Sequence, residues 1–307
     1  MTNKVNLIYK LEGPKVDEGI DVFELSPLLL SLGKLIQNSN EIVNPTGKKI
    51  GVNIKPFQKG SFVIEILVFA QTNLQQLISY VNHDDVQQIK QLIEWLGLIG
   101  GGTTGVIAVY KFLKGRPKRI DAGPEEVKIT AQNDTSITVD KQTYSLFQNS
   151  DVQQNIYNIY GDFLGKEGIN KVKSFLKDEG EQKAVTVEKN DVPYFNPANA
   201  IMQEDAKENE KRNITQCFIK PKRISVEGEA DNWSFRKGVD TVITATIKDE
   251  EFLSKIKTGE IRLYGEDLLE VNLLEIQTVK NNEVYAKYEV IKVTKYIKAP
   301  VQKTLLE

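Results

Sequence analysis

The sequence predicts an α+β protein in three parts, and three observations carry that expectation. Strand and helix signals alternate before residue 82, a glycine-spaced apolar segment follows, and the chain turns β-rich beyond residue 214. The expected parts are an N-terminal strand–helix–hairpin domain over 1–82, a central helical region over 83–203, and a small C-terminal β barrel or sandwich over 214–300. A content of 40% hydrophobic and 27% charged residues describes a globular chain, not a disordered one.

The elements follow in order. Val5, Leu7 and Tyr9 alternate with polar neighbours, the period of a half-buried strand. Ser26 before Pro27 reads as an N-cap and first helical residue, after which Leu28, Leu32, Leu35 and Ile36 share a face. Gly51–Pro56 and Ser61–Phe69 read as strands around a turn at Gln58, Lys59 and Gly60. Asp84 and Asp85 suit a first helical turn, with Val86, Ile89, Leu92, Ile93 and Leu96 as its apolar stripe. Val127–Thr130 and Ser136–Val139 read as a hairpin about Asn133 and Asp134. Ile156, Ile159, Tyr160 and Phe163 read as one amphipathic helix, Ile169, Val172, Phe175 and Leu176 as another, and Ala184–Glu188 as a strand. The highly charged run Glu204–Arg212 marks a boundary. Beyond it, Cys217–Val226, Trp233–Phe235, Val239–Ile247, Glu260–Tyr264, Leu268–Thr278 and Glu283–Tyr296 read as strands, interrupted by a helix over Glu250–Ile256. Trp233 and Phe235 read as core of that β domain.

The segment Leu92–Lys114 stands apart. Trp95 to Tyr110 carries no charge over 16 residues. Read as one helix, Gly97, Gly101 and Gly105 line one face, and Gly100, Thr104 and Ala108 form a second small row, a geometry that admits a close partner helix. Lys111, Lys114, Arg116, Lys118 and Arg119 follow as a basic collar suited to anionic headgroups. Two other readings remain open. The segment can be a buried helix, or two helices joined by a Gly100-Gly101-Gly102 turn. Gly100, Gly102 and Gly105 also match G-x-G-x-x-G, with Asp121 downstream, but a helical pattern precedes the glycines where a dinucleotide site needs a strand.

No catalytic residue is expected. His83 is the single histidine and reads as a surface residue; Cys217, the single cysteine, reads as core. Together they exclude a His/Cys metal cluster and an internal disulfide. No metal or cofactor is expected. A net charge of −2 makes nucleic acid an unexpected partner. The opening MTNKVNLIYKLEG has no secretory layout, so a cytoplasmic location is expected, with association at the inner membrane.

The order of parts resembles a loose group of uncharacterised bacterial proteins found on mobile elements and in anti-phage contexts. The residues that carry the resemblance are KGSFVIEI, KFLKGRPKRI, VKITAQNDTSITVD, NWSFRKG, ATIKDEEFL, GEDLLEVNLLEIQ and YEVIKV. The resemblance implies a non-enzymatic immunity protein, sensor or membrane-acting effector, and transfers no catalytic residue. The expected action is therefore self-association and membrane interaction through the small-residue helix. Its partners would be further copies of the chain, the bacterial inner membrane, and a phage protein or second defence component. The alternatives are a soluble recognition module for a phage protein or nucleotide, and a nucleotide-cofactor enzyme.

Overall fold

A computed structural model describes residues 4–45, 48–55, 62–71, 83–200, 210–224, 230–231, 233–238, 241–280 and 283–299. The chain divides into two compact units, one of Met1–Lys207 with Asn281–Val284 and the other of Glu208–Lys280 with Tyr285–Glu307.

In the first unit β1 (Lys4–Glu12) turns Val5, Leu7, Tyr9 and Leu11 into the core, as its alternation dictates. A short helix α1 (Pro14–Glu18) precedes α2 (Val22–Val43). Helix α2 starts earlier than the Ser26–Pro27 pair suggested. Asp21 is its N-cap, accepting a hydrogen bond from the Phe23 amide at 2.7 Å, and Pro27 lies inside the helix. The expected apolar face holds: Leu28, Leu32, Leu35 and Ile36 are buried. β2 (Ile50–Ile54) pairs antiparallel with β3 (Val63–Ala70); the turn expected at Gln58, Lys59 and Gly60 lies outside the described residues.

The glycine segment is not one helix. α3 (His83–Leu96) ends before the glycines and α4 (Gly105–Leu113) begins after them. Among the described residues no helix is long and apolar enough to cross a membrane. β4 (Arg119–Ala122), β5 (Glu126–Thr130) and β6 (Ser136–Asp140) form a three-stranded sheet. Asp134, at the β5–β6 turn, takes a positive φ of 65°. α5 (Lys141–Gln148) and α6 (Ser150–Ile156) lead into a π-helical turn over Tyr157–Phe163, whose Ile159, Tyr160 and Phe163 are buried with Ile156 of α6.

The run Ile169–Leu176 is a strand, not a helix. β7 (Lys171–Leu176) buries Val172, Ser174 and Leu176 and turns Lys171, Lys173 and Phe175 the other way. It pairs with β1 and with β8 (Val185–Glu188), giving the sheet order β2-β3-β1-β7-β8. Residues 171–188 thus complete a sheet begun at residue 4, so the boundary drawn at residue 82 falls within a single core.

The second unit is a closed five-stranded barrel. Its strands are β9 (Glu210–Arg223), β10 (Trp233–Lys237), β11 (Thr241–Ile247), β12 (Leu268–Lys280) and β13 (Glu283–Ile297), ordered β10-β11-β13-β12-β9. β9 pairs antiparallel with both β10 and β12, whereas β11 and β13 run parallel. α7 (Glu250–Lys257) bridges β11 to β12 and places Phe252 6.3 Å from Trp233 inside the barrel. The strand expected over Glu260–Tyr264 is absent. Those residues run without regular structure into a turn at Gly265 and Glu266, pinned by the buried Asp267 carboxylate.

Candidate functional site

The sequence singled out the glycine segment, and its conformation decides what it can do. At the end of α3 the Leu98 amide donates to the Ile93 carbonyl at 3.1 Å and the Gly97 amide to the Glu94 carbonyl at 2.8 Å. With Gly97 at φ 79° this is a Schellman cap, which terminates a helix because only glycine takes that backbone freely. Gly105 then opens α4 against that cap. A Cβ on Gly105 would lie 2.3 Å from the Gly97 nitrogen and 2.4 Å from the Glu94 carbonyl oxygen. The close approach foreseen for small residues is therefore made within the chain, between Gly97 and Gly105. The four-residue rows do not form. Gly100, Gly101 and Thr104 are exposed in the intervening turn, and Ala108 is buried in α4. The helix-packing face expected of Gly97, Gly101 and Gly105 needs one continuous helix, and the cap breaks it.

The basic collar is largely committed to partners in its own unit. Lys111 donates to the Thr186 carbonyl at 2.9 Å and pairs with Asp191 at 2.9 Å. Lys118 pairs with Asp134, and Arg119 with Asp121 at 2.9 Å. Lys114 caps α4 in a left-handed conformation and reaches to 6.0 Å from the centre of the Tyr194 ring. Arg116 has no ion pair among the described residues; its carbonyl accepts from Gln132 at 3.1 Å. Asp121, the acid a ribose site would use, is on β4 beside its Arg119 partner, and the glycines follow a helix.

The other candidates lack reactive chemistry. Asp85 is buried and pairs with Lys48 at 2.8 Å. Burial pushes the Cys217 thiol up to about 11; the Lys237 charge partly opposes this, and Glu275 adds to it. A thiol so protonated is a poor nucleophile.

A different surface collects unpaired charge. On β10, Trp233, Phe235 and Lys237 turn inward, which leaves Arg236 exposed on the outer face. Its β9 partner in register is Lys220, and its β11 partner is Val242, 47% exposed. Between the Phe235–Pro221 and Ser234–Arg223 pairs the register shifts by one residue, at Lys222. Regular alternation would turn one of two consecutive side chains inward; the bulge leaves both Lys222 and Arg223 exposed. Lys220 pairs with Glu266 at 3.1 Å, while Lys222, Arg223 and Arg236 have no acidic partner among the described residues.

The turn beside this face is firmly held. Asp267 accepts from the Tyr264 amide and the Tyr296 hydroxyl, both at 2.8 Å, and from the Ala299 amide at 2.9 Å. Burial works to raise the Asp267 carboxyl, and those donors outweigh it, so it titrates below the usual range. The turn packs near β9, where a Cβ on Gly265 would stand 3.9 Å from the Pro221 carbonyl oxygen, and it leaves Tyr264 58% exposed. The sequence reading missed this group. The signal was present in WSFRK, where alternation from Trp233 and Phe235 puts Arg236 on the outward side, and in PKR at the end of β9. Comparison with protein-family models, curated proteins and solved structures finds no match to this chain.

Proposed function

We propose that the protein is a recognition module that binds its ligand on the outer face of the C-terminal barrel. The observation that carries this reading is the barrel's connectivity. Five strands close in the order first-second-third-fifth-fourth, the third and fifth run parallel, and a helix joins the third to the fourth. That is the plan of the small Greek-key barrels whose second and third strands present oligonucleotides or oligosaccharides with a binding face. Connectivity alone does not assign a function. Here it coincides with exposed cations, without an acidic partner among the described residues, on the second strand β10 and on its first-strand neighbour β9.

The membrane-effector reading rested on a continuous small-residue helix followed by free cations. Its supports are weaker in the folded chain, where Gly97 and Gly105 meet each other and Lys111, Lys118 and Arg119 hold acids. In the immunity setting implied by the resemblance, a binding barrel makes the protein the sensor. The intact chain is expected to bind at least one member of a panel of single-stranded and duplex oligonucleotides and anionic oligosaccharides. Arg236→Ala should weaken that binding by about tenfold. No binding across the panel, or binding indifferent to Arg236, contradicts the reading.

A further inference from the structure

The geometry points to single-stranded nucleic acid as the ligand of the β9–β10 face, with Lys222, Arg223 and Arg236 on its phosphates and Tyr264 against a base. This inference rests on the barrel being the binding unit and adds the class of ligand. Arg236 and Lys220 face each other across neighbouring strands, about 5 Å apart at their Cα atoms. Arg223 is two pairs further along, across from Ser234. The cations therefore form a short track over two strands, narrow enough for one extended backbone. Two of them are guanidiniums, whose planar forks match phosphate oxygens bidentately.

The exposed Tyr264 ring supplies what a pure polyanion site would not need. Single-strand binders combine a positive track with aromatic platforms, because every base offers a π-face. Tyr264 is placed for that role by the Asp267 clasp and by the Lys220–Glu266 pair, which ties the turn to β9. Net charge hides such a surface, because the balanced acids of the same unit cancel it.

The test uses the full chain and a fluorescein-labelled oligothymidylate or oligouridylate of about twenty nucleotides, longer than one barrel's usual site. Fluorescence anisotropy is read as salt rises from about 50 to about 200 mM. Three phosphate contacts on a single strand give a log–log slope of about −2, an affinity loss of about 18-fold over that range. The Arg223→Ala/Arg236→Ala double variant should bind at least about tenfold more weakly, with the slope reduced to about −0.7. Tyr264→Ala should weaken binding by about fivefold or more while leaving the slope unchanged. Lys257→Ala, an exposed cation on α7, serves as the control and should bind as the parent does. No binding to either oligonucleotide overturns the inference, as does a salt slope unmoved in the double variant. Equal or tighter binding to a duplex of the same length also overturns it. If the chain instead binds an anionic oligosaccharide through Arg236, the nucleic-acid assignment fails and the binding-barrel reading stands. If nothing in the panel binds, both fail.

Discussion

Gly101 and Gly105 are both glycines at positive φ, 71° and 81°, yet the structure treats them differently. A Cβ on Gly101 meets nothing within 4 Å, so Gly101→Ala costs only the left-handed backbone, about 1 kcal/mol. A Cβ on Gly105 meets backbone atoms that cannot swing aside, so Gly105→Ala adds overpacking to the same strain and costs about 3 kcal/mol. Urea denaturation of the two variants checks the difference. Had the segment been one packing helix, Gly101 would have been a principal contact and the more sensitive of the two. The Gly97 cap was legible in the sequence, since a glycine after a helical stripe with an apolar residue behind it, here Leu98, is a helix-stop signal. The long uncharged run drew attention to helix periodicity across the very residue that ends it.

At the scale of elements, Asp267 ties together three pieces of the barrel: the 263–267 turn, β13 through Tyr296, and the chain after it through Ala299. Its carboxyl titrates below the ordinary range, so its contribution to stability is complete above about pH 4 and is lost as pH falls through the folded-state value. Asp267→Asn keeps the shape but not the charge. The parent should lose stability on acidification below about pH 4, and the variant should be less stable at neutral pH and show less of that acid dependence. Equilibrium denaturation at several pH values checks this, and identical pH profiles would show that the clasp adds no stability.

The strand β7 teaches a related lesson about elements. Ile169, Val172, Phe175 and Leu176 satisfy a helical spacing, while Val172, Ser174 and Leu176 satisfy a strand's. What decides between them is β1, its partner in the sheet, more than a hundred and fifty residues away in sequence. A short window holds no trace of that pairing.

For the whole molecule, the expectation of mixed helix and strand with a β-rich end was legible from composition and alternation, and the barrel's five strands were each marked in sequence. Less legible was the way residues 4–12 and 171–188 share one sheet, because completing that sheet depends on non-local pairing. The candidate binding face was hidden for a different reason. Charge was summed over the chain, whereas a surface is made by register and by a one-residue bulge that turns Lys222 and Arg223 out together. In the proposed reading, function lies on the barrel face and the glycine segment is structural. The most direct measurement compares charge reversals on the two surfaces, Arg236→Glu on the barrel and Arg116→Glu in the basic collar, in the same oligonucleotide titration. Arg236→Glu should weaken binding by about tenfold or more, and Arg116→Glu should leave it unchanged. Loss of binding in Arg116→Glu with Arg236→Glu unaffected would contradict that reading and return function to the collar.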